Sequence, residues 1–336
     1  MRLGLKQSAT NLLGRFWLEL AIAASFVGGM LAISLATGLP IQTPSSGSAM
    51  AIGMHYLYPF VAVALFFALA SLFGTKRHLA VVVVALFAYA IVLWAHFNVK
   101  LWSHFLNSAS YDEFYWMTDQ WIRPVIDLCI QATEWLVSLH PSMEQFYVLS
   151  FILLFVVSFT VHAINCPQEF REVFIAALLL QGIGGFAYTA FPALGPFIYE
   201  TGPVNHVTQS QLYMYDAYEQ MMAGGIPWFE ANGQLYFVAG LGAMPSLHSA
   251  STFLFTAYIW KYDRKLFVIY APILALILIM AIGTRWHYAI DLPVGIALAL
   301  FCMWASPRLI SWSQRITGNR ASDPLPEGAM AADDAR

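Results

Sequence analysis

Two histidines and one aspartate carry the clearest chemical signal in the sequence. His287 and Asp291 stand at positions i and i+4, so on a helix they would share one face and the carboxylate would accept a hydrogen bond from one imidazole nitrogen. The other nitrogen would remain a nucleophile or base, as in a catalytic triad. His248 would supply a second imidazole that protonates a leaving oxygen. This set suits phosphoryl transfer through a phosphohistidine, followed by attack of water or an alcohol.

The same residues also allow two plainer interpretations. A His–Asp pair in a membrane helix can be a hydrogen-bonded polar pair that joins helices, and the pair alone does not distinguish the two roles. A metal site would use His248, His287 and Asp291 as its ligands, with His206 as an optional fourth. Two nitrogens and a carboxylate from distant segments are not a specific metal signature, however. We therefore expect no metal and no other cofactor.

The composition indicates an integral membrane protein. Of the 336 residues, 59% are hydrophobic and only 10% are charged, which is too apolar for a soluble domain. Apolar runs of roughly 20 residues, the length that crosses a hydrocarbon core, predict an all-α polytopic membrane helical bundle with about eight transmembrane helices. The runs cover residues 17–39, 55–74, 79–97, 146–164, 172–194, 241–260, 266–284 and 288–306.

The basic residues predict how the chain is oriented in the membrane. Short cytoplasmic loops retain Lys and Arg, and with both termini cytoplasmic nearly all of the 16 basic residues fall on that side. The exceptions are Lys100, Arg123 and Arg285. This orientation in the plasma (inner) membrane places both candidate histidines at the extracytoplasmic surface. The expected partners are therefore the bilayer and a lipid substrate in its outer leaflet.

Four regions follow from these runs and from composition. Residues 1–97 would form a three-span N-terminal membrane region, and residues 146–306 a catalytic five-helix membrane core. Between them, residues 98–145 are rich in aromatic and acidic side chains, which favours an interfacial outer segment with an aromatic belt over a substrate-binding role. Within the catalytic core, the long outer segment 195–240 is expected to be a lid over the site. Residues 313–336 are predicted to be a disordered cytoplasmic tail.

The sequence supports neither a disulfide or cysteine-ligated metal site nor nucleic-acid binding. The three cysteines, Cys129, Cys166 and Cys302, have no disulfide or metal-binding spacing. The net charge is −3, and no Lys/Arg cluster exceeds what the membrane orientation explains, so we expect no nucleic-acid partner.

Two motifs carry a resemblance to a known family. Pro245-Ser246-Leu247-His248 and His287-Tyr288-Ala289-Ile290-Asp291 resemble the second and third motifs of the type 2 phosphatidic acid phosphatase superfamily of membrane lipid phosphatases and phosphotransferases. The wider set is similar to its branch that contains the fungal inositol phosphorylceramide synthase. That set is Met244-Pro245-Ser246-Leu247-His248-Ser249, Trp286-His287-Tyr288 and Phe191-Pro192. The resemblance covers roughly residues 145–306.

The resemblance implies a role for each motif residue and a reaction. His287 would be the nucleophile, Asp291 would orient it, and His248 would be the general acid. The implied protein is a metal-independent phosphotransferase acting on a lipid phosphate or phospholipid headgroup, similar to inositol phosphorylceramide synthase. A lipid phosphate phosphatase of the phosphatidic acid or polyprenyl phosphate type is the alternative. A transporter using the same residues as a relay is disfavoured, because these residues cluster at one membrane face rather than near the midplane.

The residues that hold the phosphate are less clearly marked. Phosphatases of the family carry a Lys/Arg-rich first motif and an arginine six residues before the nucleophile, where this chain has Ala281. Arg285, two residues before His287, is the preferred cation, and its alternative role is an interfacial anchor. Ser246, at a predicted helix start, would add amides that favour an anion. The candidates for phosphate binding are Ser246, Lys100, Arg123 and Arg285.

Overall fold

The computed structural model describes residues 16–43, 65, 76–140, 143–166, 169–203, 206–236 and 242–316. All regular secondary structure in these ranges is helical, which confirms the all-α class. The longer helices are α1 (Trp17–Thr37), α2 (Lys76–Leu106), α3 (Asp112–Trp121), α4 (Arg123–Leu139), α5 (Met143–Asn165), α6 (Phe170–Ala190), α7 (His206–Asn232), α8 (Leu247–Tyr262), α9 (Phe267–Gly283) and α10 (Asp291–Ile316). Short 3-10 helices cover Pro196–Ile198, Gly233–Tyr236 and Arg264–Leu266.

Several helices are suited to cross a membrane. Five segments of the described chain are long and apolar enough to do so: Trp17–Thr37, Val83–Leu106, Phe170–Ala190, Arg264–Gly283 and Asp291–Ile316. They correspond to the first, third, fifth, seventh and eighth predicted runs. The fourth run lies in α5, of which Ser150–Asn165 is a shorter apolar helix, and the sixth overlaps α8, which is not among the candidate spans of the described chain. The second run, 55–74, lies outside the described residues except for Leu65, so the count of eight stays a prediction.

The structure differs from the sequence prediction in three of the predicted regions. Helix α2 continues to Leu106, so it enters the segment 98–145, whose remainder is formed by α3, α4 and the start of α5. The segment 195–240 is mainly the helix α7 rather than a loop, and the positive φ of Gly225 interrupts that helix near Pro227. Helix α10 extends to Ile316, which corrects the predicted start of the tail at residue 313. Residues 317–336 lie outside the described chain.

Helix α6 lies at the centre of the bundle. It packs most extensively against α2 and α10, and it also contacts α1, α5 and α8. At Gly185 the backbones of α6 and α2 come close, because a Cβ atom added there would lie 2.8 Å from the Cα atom of His96. Lys100 lies one helical turn further along α2, with its ammonium group 4.8 Å from the centre of the Tyr188 ring of α6. The close contact thus positions a lysine between these two helices.

The substitution Gly185→Ala tests this close approach of α2 and α6. The added methyl group would meet helix backbone, which cannot move away as a flexible side chain can. Overpacking of this kind destabilises by about 1–3 kcal/mol, so we expect a lower melting temperature in detergent. Gly28→Ala is the matched control: no atom lies within 4 Å of the added Cβ, and alanine favours a helix by up to about 1 kcal/mol. Equal melting of both variants and the wild type would contradict the close contact.

Candidate active site

His287 lies in the turn that joins α9 to α10, and it is buried. Its Nδ1 atom is 2.9 Å from the carbonyl oxygen of Ala243 and 3.2 Å from Oδ2 of Asp291. A carbonyl oxygen can only accept a hydrogen bond, so Nδ1 is the protonated nitrogen. The Nε2 atom therefore carries the lone pair, as a nucleophile requires. The nearer acceptor, a backbone carbonyl, leaves no signal in the amino-acid sequence.

The His287–Asp291 pair does not lie on one helix as the spacing predicts. Asp291 begins α10, whereas His287 belongs to the turn before it. The chain leaves α9 after Gly283, and Arg285 has a positive φ of 63°, a conformation that disfavours continuation of the helix. The Asp291 carboxylate then organises the turn, because its Oδ2 atom also accepts a hydrogen bond from the backbone N–H of Tyr288 at 2.9 Å.

The environment of His287 keeps its imidazole neutral. Burial lowers the pKa of His287 to about 3, and the nearby positive charge of Lys100 lowers it further. A neutral ring with a protonated Nδ1 has its Nε2 lone pair available across the physiological pH range. Asp291 is fully buried, and its Oδ1 atom has no hydrogen-bond partner among the described residues.

His248 reaches the same place from the first turn of α8. Its ring packs against the rings of Phe151 and Tyr147 of α5, with centroids 4.6 Å and 5.2 Å away. It lies near enough to His287 for the two imidazoles to interact electrostatically. The segment before α8 joins the turn, since Ser246 N–H donates to the Asp291 carbonyl oxygen at 3.2 Å. The structure thus brings His248, His287 and Asp291 together.

Lys100 is the basic residue that faces the two histidines. Its charge interacts with both His248 and His287. Its side chain contacts Gly242, the neighbour of the Ala243 carbonyl that holds His287. No described carboxylate forms an ion pair with Lys100, and its ammonium group lies over the face of the Tyr188 ring instead. Among the described residues, Lys100 is therefore a cation without an ion-paired carboxylate, and its charge acts on the candidate nucleophile.

The two arginines expected on the outer side are paired with carboxylates. Arg123 donates to Glu200 at 2.7 and 3.0 Å and to Asp127 at 2.7 Å. Arg285 is buried, with its Nη2 atom 3.5 Å from Glu200 and 3.9 Å from Glu134. Arg285, the cation nearest to His287 in sequence, thus lies within 4.0 Å of two carboxylates.

Ser246 is buried and its polar groups are occupied by protein partners. Its hydroxyl donates to the Ser249 hydroxyl at 3.0 Å, and its backbone N–H is used by the Asp291 carbonyl. In this geometry Ser246 holds the start of α8 against the turn.

Helix α3 contributes two carboxylates to the surroundings of the candidate site, and neither belongs to a sequence motif. Asp119 accepts a hydrogen bond from Ala289 N–H at 3.0 Å, and Asp112 accepts one from the Tyr288 hydroxyl at 2.8 Å. Both carboxylates are buried, as is Tyr115 between them. Their i, i+3, i+7 spacing is the signal that would have identified a buried face of α3.

The metal interpretation gains no support from the described residues. Within them, no three His, Cys, Asp or Glu side chains are grouped so as to hold a metal ion. The side chain of His206, the fourth ligand of the hypothetical set, lies outside what is described.

Asp119 gives a prediction about stability and pH. Burial raises the pKa of Asp119 from 3.8 to about 6, against the opposing effect of the hydrogen bond from Ala289. A raised pKa means that the native state favours the protonated form, so stability falls as the pH rises from about 4 through about 6. Asp119→Asn keeps the acceptor oxygen and removes the charge. We expect a higher melting temperature than wild type at pH 7 and a smaller difference at pH 4.

Thermal melts of the detergent-purified protein across this pH range measure the effect. Glu113→Gln, an exposed substitution on the same helix, is the control and should follow the wild type at every pH. A difference between Asp119→Asn and wild type that stays constant with pH would contradict the burial of a charge at this site.

Comparison with known proteins agrees with the chemistry of this site. The family model of the PAP2 superfamily matches residues 121–305, more than half of the chain, and this range contains His248, His287 and Asp291. No curated protein and no solved structure matches the chain. Members of the superfamily are generally phosphatases and phosphotransferases. The chain belongs to the PAP2 superfamily and is an integral membrane enzyme of the lipid phosphatase or phosphotransferase type.

Proposed function

We propose that this protein is a lipid phosphotransferase that forms a phosphohistidine on His287, similar in activity to inositol phosphorylceramide synthase. One observation carries the proposal: the Nδ1 atom of His287 is held by a carbonyl oxygen and a carboxylate, and a second imidazole lies beside the ring. In the proposed reaction, the Nε2 lone pair of His287 would attack phosphorus and His248 would donate a proton to the leaving oxygen. Both are required for displacement at phosphorus.

The first step transfers the phosphoryl group to the protein. His287 Nε2 attacks phosphorus, and a P–N bond forms while the P–O bond to the leaving alcohol breaks. His248 gives its proton to the departing oxygen. The ring of His287 gains positive charge in this step, and the Asp291 carboxylate stabilises it through Nδ1–H.

The second step releases the product. The acceptor hydroxyl loses its proton to His248 and attacks phosphorus, and the P–N bond breaks to regenerate His287. A lipid alcohol as the acceptor gives headgroup transfer, whereas water gives hydrolysis. The geometry of the histidines serves both outcomes, so the acceptor distinguishes the proposed transferase from the alternative phosphatase.

The charge of the site favours a phosphodiester donor. Lys100 is the one outer cation without a carboxylate partner among the described residues, and we assign to it the charge on the phosphate oxygens. A phosphodiester carries one negative charge, which one ammonium group neutralises. A phosphomonoester carries nearly two, and Arg123 and Arg285 are already paired with Glu200 and its neighbours. A phospholipid headgroup in the outer leaflet therefore suits the site better than a lipid monophosphate.

The reaction is tested on purified protein in detergent with EDTA present. A labelled phospholipid is supplied with and without ceramide or diacylglycerol, and lipid monophosphates are supplied in parallel. Both headgroup transfer and free phosphate are measured. We expect transfer to the added alcohol, reduced at least about 10³-fold in His287→Ala and His248→Ala, because the nucleophile or proton donor is lost. His140→Ala, an exposed histidine at the end of α4, is the control and should keep wild-type activity.

Each outcome of that assay assigns a function. Headgroup transfer with little free phosphate supports the transferase, and release of phosphate from lipid monophosphates supports the phosphatase. Activity that survives His287→Ala refutes the phosphohistidine mechanism, and activity lost only through EDTA refutes metal independence.

The role of Lys100 is tested by changing its charge. Loss of one preorganised group that stabilises transition-state charge costs about 10²–10³-fold in rate, so Lys100→Met should lower kcat/KM by about that factor. Lys100→Arg keeps the charge and should lose less. Arg123→Gln removes another outer cation that is already ion-paired, and its effect should be within about 10-fold. An effect of Arg123→Gln equal to that of Lys100→Met would show that Lys100 is not the phosphate ligand.

A further inference from the structure

Asp112 is a buried carboxylate at the start of α3, and its oxygens are fully engaged by donors from three parts of the chain. It accepts hydrogen bonds from the Ser110 hydroxyl at 2.8 Å and from the backbone N–H groups of Leu194 and Gly195 at 2.9 to 3.0 Å. The Tyr288 hydroxyl is a further donor at 2.8 Å. Bonds to an ionised acceptor are about twice as strong as neutral ones, so this carboxylate is a rigid anchor.

The first connection from Asp112 to His287 passes through Tyr288. The hydroxyl of this tyrosine donates to Asp112, and its backbone N–H donates to Oδ2 of Asp291. That same oxygen accepts the hydrogen bond from Nδ1 of His287. Tyr288 is completely buried, and its ring packs against Tyr115 of α3 with centroids 5.6 Å apart. Fixing the tyrosine therefore fixes the carboxylate that holds the nucleophile.

The second connection passes through the segment that follows α6. Asp112 holds the N–H groups of Leu194 and Gly195, and the carbonyl of the preceding residue, Ala193, accepts a hydrogen bond from Ala243 N–H at 2.8 Å. The carbonyl of Ala243 in turn accepts the hydrogen bond from Nδ1 of His287. The first connection thus ends at Asp291 and the second at Ala243, which are the two acceptors of the Nδ1 atom of His287.

The same segment packs directly against the turn that carries His287. A Cβ atom added to Gly195, whose φ is +131°, would lie 2.8 Å from the carbonyl oxygen of Trp286. Phe197 N–H donates to the carbonyl of Arg285 at 3.2 Å. A shift of this segment would therefore move the backbone of the two residues directly before His287.

We propose that Asp112 is a positioning residue that sets the orientation and the tautomer of His287 through these two connections. It acts through other residues and does not touch the substrate. The inference rests on the proposed role of His287 as the nucleophile. A misplacement of about 1 Å in such an arrangement costs about 10²-fold in rate, which gives the scale of the expected effect.

Two substitutions separate the connections. Asp112→Asn leaves one acceptor oxygen and turns an NH₂ group toward N–H donors, so it disrupts both connections. Tyr288→Phe removes a single hydroxyl and disrupts only the first. We expect kcat to fall about 10–100-fold in Asp112→Asn and about 3–10-fold in Tyr288→Phe, with KM within about 3-fold of wild type, since the substrate contacts remain. Tyr111→Phe, which removes a neighbouring hydroxyl, is the control and should change neither.

The tautomer of His287 gives a measurement that a purely structural role would not change. Nitrogen-15 NMR of histidine-labelled protein in detergent reports which ring nitrogen carries the proton, and the His287 signals are assigned by their loss in His287→Ala. We expect the wild type to hold the proton on Nδ1. In Asp112→Asn, and less so in Tyr288→Phe, part of the population should move to Nε2. Melting temperature and gel filtration confirm that each variant is folded.

The outcomes are distinct for the two proposals. A shifted tautomer together with a reduced kcat supports positioning by Asp112. Unchanged tautomer and kcat in folded Asp112→Asn and Tyr288→Phe overturn it. A shifted tautomer in a protein whose wild type transfers no phosphate and releases none overturns the proposed function and leaves the positioning of His287 supported.

Discussion

The structure of the site depends on the pair of hydrogen bonds made by one nitrogen atom, Nδ1 of His287. Its acceptors are the carbonyl oxygen of Ala243 and the carboxylate of Asp291, and together they determine which ring nitrogen is left with a lone pair. To make both bonds, the chain must bring the start of α8 and the start of α10 against the turn after α9. The contact between Ser246 N–H and the Asp291 carbonyl closes the same junction. These hydrogen bonds therefore join three segments of the chain at the candidate site.

Lys100 differs from the other outer cations in the charge around it. The imidazole of His287 is neutral, and no described carboxylate forms an ion pair with Lys100. A cation without an ion-pair partner in a low-dielectric setting is costly. Under the proposed function, the substrate phosphate would supply a negative charge beside it. The arginines differ in this respect, because Glu200 already neutralises part of their charge.

The sequence identifies the candidate residues better than it predicts their contacts. Residue type and spacing single out His248, His287 and Asp291, and α6 ends at Ala190, two residues before Pro192, because proline cannot continue a helix. Distance along the chain favours Arg285 as the cation, whereas the fold also brings Lys100 near both histidines. The Ala243 carbonyl is a backbone atom, which no side-chain motif reports. Asp112 and Asp119 find their partners more than 160 residues away, so their role depends on tertiary structure.

The two carboxylates on either side of Tyr288 differ in a way that fits their different tasks. The oxygens of Asp112 accept hydrogen bonds from Ser110, Leu194, Gly195 and Tyr288. The Oδ1 atom of Asp291 has no partner among the described residues, and the contact of its Oδ2 atom with His287 is the longer of the two at 3.2 Å. Under the proposed mechanism, the ring of His287 would become cationic when phosphorus bonds to Nε2, and the attraction between Nδ1–H and a carboxylate would increase far more than that to a neutral carbonyl. Asp291 would then be the group that responds to the intermediate, while Asp112 would keep the surrounding backbone in place.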